Sequence, residues 1–96
     1  MKAHLVRNKK LVLGNVAIQE RIWAVSQAVP GSAHGYKYSL ALIVDGECVL
    51  RYDNERGKGD HLHFRALESA YSFVSLEKLM DDFQAEVQRI LQEVKP

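Results

Sequence analysis

Ninety-six residues with 47% hydrophobic and 26% charged side chains describe one ordinary globular domain, which excludes wholesale disorder and a multidomain architecture. The formal charge of +1 is far below that of a dedicated duplex-DNA binder, yet residues 1–75 hold ten Lys/Arg against seven Asp/Glu and the remainder three against five, so the leading part tolerates a polyanion better than the tail. No apolar run reaches the roughly 20 residues of a membrane-spanning helix and no signal-peptide pattern opens the chain, so a cytoplasmic protein without membrane contact is expected.

In chain order, Lys2 to Arg7 has strand character and Asn8-Lys9-Lys10 reads as a turn. Val16 to Val29 satisfies two periods. Ile18, Ile22, Val25 and Val29 fit a helical stripe, while Val16, Ile18, Ile22 and Ala24 fit a strand face interrupted by Glu20; the β-branched residues and Trp23 favour the strand, with 30–35 as an irregular loop. Tyr36 to Val44 and Glu47 to Asn54 flank Asp45-Gly46, a strong two-residue hairpin signal. A regular register from that turn puts Tyr36, Tyr38, Leu40 and Leu42 on one face with Val49, Arg51 and Asp53, and Ala41 and Ile43 on the other with Cys48, Leu50 and Tyr52. Both faces then carry apolar residues, one helix cannot cover both, and the rest of the sheet, a second copy of the chain or a partner protein is expected on the remainder. Cys48, the single cysteine, reads as core filler.

Asp60 to Phe64 is expected as a short strand with His61 and His63 on one face and Leu62 and Phe64 on the other, and Tyr71 to Val74 as a last extended piece. Leu76, Leu79, Met80, Phe83, Val87, Ile90, Leu91 and Val94 recur at offsets 0, 3, 4, 7, 11, 14, 15 and 18, one stripe of an α-helix, with Ser75 as N-cap and Val74 and Leu79 placed for a hydrophobic staple. The expected fold is therefore α+β: one domain over 1–96, mostly β over 1–74, with an antiparallel sheet of about five to six strands packed against one long C-terminal helix over 75–95.

The stretch Arg51-Tyr52-Asp53-Asn54-Glu55-Arg56-Gly57-Lys58-Gly59-Asp60-His61-Leu62-His63-Phe64 concentrates the chemistry. Side chains two apart on a strand point the same way, and His61 and His63 so placed fit the two proton transfers of metal-independent RNA cleavage, the expected activity: removal of a 2′-OH proton and protonation of the departing 5′-oxygen. Lys58 is the candidate phosphate clamp, Asp53 or Asp60 the group that orients an imidazole, and Arg56 a second cation. Gly57 and Gly59 allow a turn whose N–H groups converge on an anion. Arg51, Tyr36, Lys37, Tyr38, Asn54 and His34 complete the candidate contacts to RNA, the tyrosines by stacking on unpaired bases. Trp23 suits core packing or the same stacking. Glu20 is expected to be partly buried. No cofactor is expected. Two further readings stay open: a binding module in which the histidines only form hydrogen bonds, and a metal-dependent nuclease or hydrolase whose ligands come from His61, His63, Asp53 and Asp60.

Over almost the whole length, from Met1-Lys2-Ala3 through Glu20, Trp23, the His34 to Tyr38 stretch and the run Tyr52 to His63, to Tyr71-x-Phe73 and Asp82-Phe83, the chain resembles the TumE-like toxins of bacterial type II toxin–antitoxin systems. An arginine commonly lies between the two histidines in that family and a glycine follows soon after; this chain has Leu62 and then Phe64-Arg65-Ala66-Leu67. The resemblance implies a small cytoplasmic toxin neutralised by a cognate antitoxin, often a helix-turn-helix DNA binder. The ribonuclease activity and the site residues come from the residues themselves, and homodimerisation from the two-faced hairpin.

Overall fold

In the computed structural model, which describes residues 2–93, six strands precede one helix: β1 (Ala3–Leu13), β2 (Val16–Val25), β3 (Tyr36–Val44), β4 (Glu47–Glu55), β5 (Gly59–Phe64), β6 (Leu67–Ala70) and α1 (Leu76–Glu93). The strands form one antiparallel meander in the order β1-β2-β3-β4-β5-β6. The α+β architecture expected from the periodicities is thus observed. The segment 16–25 is a strand rather than a helix.

Asp45 and Gly46 both adopt positive φ (53° and 78°), the backbone of a primed two-residue turn whose twist matches that of the strands it joins. The ladder it starts is not regular. Val44 pairs with Glu47 and Ile43 with Cys48, but Leu42 then pairs with Leu50, leaving Val49 as an extra residue on β4. This bulge reverses the side-chain parity of everything beyond it. Leu40 and Leu42 therefore share a face with Leu50 and Tyr52, and Arg51 and Asp53 move to the opposite face with Ala41 and Ser39. The expected grouping of Tyr38 with Arg51 and Asp53 is corrected accordingly.

Once the bulge has aligned them, Ile22, Tyr38, Leu40, Leu42, Leu50 and Tyr52 form one buried surface, and α1 covers it with Leu79, Phe83, Val87 and Ile90. Tyr52 meets Phe83 edge-on at 5.9 Å. The Ser75 hydroxyl accepts the Lys78 backbone N–H at 3.0 Å, an N-cap bond that satisfies one orphan donor of the first turn. Val74 is exposed, so the expected staple with Leu79 is not made. Val94 lies outside the described residues.

Three local expectations are corrected. The β1 strand runs straight through Asn8-Lys9-Lys10 and turns only at Gly14-Asn15. These polar residues lie on an edge strand, where charged side chains cost little and discourage further pairing. The last strand is 67–70 rather than 71–74, and Tyr71 is tied down instead by its hydroxyl, which donates to Asp82 at 2.6 Å. Cys48 is exposed on the stretch of β4 before the bulge and fills no core.

Candidate functional site

The helix covers only one side of the sheet. On the other, the register lines up rows of side chains across the strands: Lys10, Gln19, Ala41, Arg51, His63 and Glu68 in one, and Asn8, Arg21, Ser39, Asp53, His61 and Ala70 in the next. Trp23 and Lys37, paired with each other, belong to the same face, with Trp23 half-buried. The uncovered face thus presents Lys10, Arg21, Lys37 and Arg51, all exposed, around one large aromatic ring, and ends at the two histidines.

His61 and His63 point the same way, with ring centroids 4.8 Å apart. Their accessibility differs: the His61 side chain is 6% exposed and that of His63 35%. His61 Nδ1 lies 2.9 Å from the Gly59 carbonyl, which can only accept, so the tautomer with its hydrogen on Nδ1 makes a hydrogen bond there. Its other nitrogen, Nε2, lies 2.8 Å from Asp53 Oδ1. The ring and carboxylate are not aligned for a hydrogen bond, and both atoms are buried without a hydrogen-bond partner among the described residues. A further carboxylate, Glu68 Oε2, stands 3.7 Å from His61 Nε2 and 3.2 Å from His63 Nε2, and Glu55 Oε1 stands 3.9 Å from His61 Nε2. Burial pushes the Asp53 carboxyl above its ordinary range, against the opposing pull of His61. Lys58, His61 and Glu68 line a recess of about 350 Å³ beside this cluster, with Lys58 Nζ 3.9 Å from Glu68.

Asp60, one residue before His61, projects to the opposite side of the sheet and orients a different imidazole. Its Oδ2 is 2.7 Å from His34 Nε2 and accepts the Tyr38 hydroxyl at 2.6 Å, while Oδ1 accepts the Ser32 hydroxyl at 2.7 Å. Burial alone would raise the Asp60 carboxyl, but the bonds from Tyr38, Ser32 and His34 together outweigh it and hold the group below the usual carboxylate range. Burial, and then the bond to Asp60, pushes the Tyr38 phenol far above its ordinary value. Asn54, 1% exposed, accepts from the Tyr38 N–H and donates to the Tyr36 carbonyl and Ser32 Oγ. His34 is stacked on Phe73 at 3.7 Å.

The candidates therefore divide. Asp53, His61, His63, Lys58 and Arg51 come together, with Lys37 on the same face. Asp60, His34, Tyr36, Tyr38 and Asn54 do not join them: they form the polar network on the helix side, where Tyr38 and Asn54 are sealed from a nucleic acid. Arg56 is exposed at the β4–β5 turn.

Two of the N–H groups of that turn are taken by backbone carbonyls and do not converge on an anion. Gly57 N–H donates to the Pro30 carbonyl at 2.7 Å and Lys58 N–H to the Glu55 carbonyl at 3.1 Å. Gly59 is needed for close approach, since a Cβ there would lie 2.6 Å from the Gly31 carbonyl oxygen.

Two site members, Glu55 and Glu68, were not expected from sequence. Glu68 carries no local signal, and only its pairing with His63 across β5 and β6 brings it in. The expected burial of Glu20 is observed, compensated by Arg7, whose Nε and Nη2 both lie 2.8 Å from Oε1.

No helix among the described residues is long and apolar enough to cross a membrane. No curated protein and no solved structure matches the chain. The family model described as toxin TumE matches residues 2–91, which include every strand and all but the end of α1, and on that match the chain belongs to the toxin TumE family.

Proposed function

We propose that the chain is the toxin of a type II toxin–antitoxin pair and that it breaks phosphodiester bonds of RNA at the His61–His63 centre. The observation that carries this reading is the uncovered sheet face, where four exposed cations and Trp23 lead to two adjacent imidazoles. Cations along a groove or face track a phosphate backbone, and an aromatic ring on an open sheet stacks an unpaired base. A single strand crossing from β2 to β5 would bring a phosphate to His63, with Arg51 paired directly beside it to offset the charge that builds up on the phosphoryl oxygens. His61 Nε2 is buried and the His63 side chain is 35% exposed, so of the two rings His63 is the one that meets the substrate.

Membership of a toxin family implies an antitoxin that silences the chain. The apolar groups left exposed are concentrated on edge strand β1, at Leu5, Val6, Leu11, Val12 and Leu13. That edge, with its unpaired backbone groups, is the surface a protein partner would cover.

Induced expression in bacteria should arrest growth, and purified protein should fragment single-stranded RNA in buffer supplemented with divalent cations. His63→Ala should lower cleavage by about 10²–10⁴-fold, the usual weight of one acid–base or ligand group, without loss of fold. RNA left intact with and without added metal, or full activity in His63→Ala, would remove the ribonuclease reading. RNA bound tightly but never cut would leave a binding module.

A further inference from the structure

From the unanswered contact between His61 and Asp53, we infer that this centre binds one divalent first-row transition-metal ion, held by Asp53 Oδ1, His61 Nε2 and an imidazole nitrogen of His63. The inference deepens the proposed function and rests on the same site, but its geometry stands independently of any activity.

His61 faces two acceptors, the Gly59 carbonyl at 2.9 Å from Nδ1 and Asp53 Oδ1 at 2.8 Å from Nε2. A neutral imidazole has one hydrogen to offer. Placed on Nδ1, it satisfies Gly59 and leaves the Nε2 lone pair against a carboxylate oxygen; placed on Nε2, it leaves a lone pair against the carbonyl. Asp53 Oδ1 and His61 Nε2 are both buried and have no hydrogen-bond partner among the described residues. Buried groups in that state are costly, and a cation shared by the two lone pairs removes the conflict.

The surroundings fit a metal in three further respects. First, ligand atoms of Asp53, His61 and His63 all lie within 4.8 Å of one another. A tetrahedral ion with bonds of roughly 2.0–2.1 Å separates its donors by about 3.3 Å, so small rotations of these side chains suffice. Second, the Nδ1–H bond to a backbone carbonyl is the arrangement that fixes the tautomer of a histidine ligating through Nε2. Third, two imidazoles and one carboxylate would leave a coordination position open, and the recess that His61 lines together with Lys58 and Glu68 lies beside the cluster. Glu68 Oε2, 3.2 Å from His63 Nε2, would be available as a further ligand or as a proton acceptor beside the ion. The N₂O donor set suits zinc, or another imidazole-binding ion such as iron or nickel, better than calcium or magnesium, which prefer all-oxygen shells. A second proton on His61, or one on Asp53, would relieve the same conflict, and titration with metal separates these cases.

The untagged chain, stripped with EDTA and dialysed, is titrated with Zn²⁺ by calorimetry and with Co²⁺ by visible absorption, without RNA. The expected result is saturable binding of one ion per chain, with Co²⁺ bands showing mixed nitrogen and oxygen ligation. His63→Gln, at a half-buried position, should fold and weaken binding by at least the roughly 10–100-fold that loss of an outer-shell partner costs. Asp53→Asn should do the same, with circular dichroism reporting whether each variant is folded. Absence of saturable binding overturns the proposal and leaves a protonated Asp53–His61 pair. Unchanged affinity in a folded His63→Gln variant overturns it equally, because the ion then sits elsewhere. Metal bound at this centre by a protein that never cuts RNA would sink the ribonuclease reading alone, whereas RNA cut by a protein that binds no metal would sink the metal site alone.

Discussion

Asp60→Asn tests the division of the two histidine clusters. The Asp60 carboxylate accepts three hydrogen bonds, from Tyr38 and His34 on Oδ2 and from Ser32 on Oδ1. An asparagine keeps one acceptor oxygen. Turned toward Tyr38 and His34 it retains both bonds without the charge, and its NH₂ then faces Ser32, whose hydroxyl must turn over. Bonds to a charged acceptor contribute roughly 1 kcal/mol more each than neutral ones, and the Ser32 rearrangement adds about 1 kcal/mol. A neutral amide is also easier to bury than a carboxylate, which returns part of this, so the net loss is about 2 kcal/mol at neutral pH. In a domain of this size that lowers Tm by about 8–16 °C.

The pH dependence carries the sign. The carboxyl of Asp60 is held below its unfolded value, so its stabilisation is fully present above the unfolded pKa of roughly 3.9 and disappears as pH falls through the lower folded value. Thermal melts of both proteins by circular dichroism, from pH 7 down to pH 3, should show a constant gap above about pH 5 that closes on further acidification. Equal stability at pH 7, or a gap that widens in acid, would refute the network as described.

Arg51→Ala removes the cation paired beside His63. It should weaken single-stranded RNA binding and reduce the dependence of log K on log salt by about 0.7, measured by fluorescence anisotropy at several ionic strengths, with no change in Tm. Leu13→Asp, at a position 66% exposed, should leave stability within about 0.5 kcal/mol of the parent. It should abolish rescue by a co-expressed antitoxin of the kind the family implies in a growth assay, and unimpaired rescue would place the antitoxin elsewhere. Tyr52, whose phenol burial pushes up to about 12, should stay un-ionised in a spectrophotometric titration to pH 11, and earlier ionisation would contradict its packing against Phe83.

Much of the fold was legible because it follows from periods and from one turn. The helical stripe from Leu76 to Ile90 allows one orientation against a sheet, and Asp45-Gly46 supplies the backbone of the hairpin turn observed. The alternation from Asp60 to Phe64 placed both histidines on one side. What escaped lies where local composition and tertiary position disagree. Asn8-Lys9-Lys10 has the polarity of a turn but occupies an edge, where solvent accepts polar side chains on a strand. The strand Leu67–Ala70 is exposed throughout and carries no burial pattern to detect. The loop residue Ser32 and the turn glycine Gly59 owe their roles to partners 28 residues away in sequence, Asp60 and Gly31 respectively.

The Val49 bulge had the largest consequence, because it decides which side of the sheet the chemistry faces. In the regular register, Arg51 and Asp53 would lie with Leu40 and Leu42, and the pairing of Asp53 with His61 and of Arg51 with His63 would carry both histidines under α1. That arrangement buries an arginine, an aspartate and two imidazoles beneath Phe83 and Val87 while turning Leu50 and Tyr52 out to water. Burying unpaired charge costs several kcal/mol per group, and exposing two large apolar side chains forfeits roughly 1.5–3 kcal/mol each. One unpaired ladder position is a small cost beside these. The extra residue therefore sends Leu50 and Tyr52 inward and leaves His63, Arg51 and the Asp53–His61 pair on the uncovered face, so the hydrophobic requirement of the core is also what places this polar cluster on the open side of the sheet.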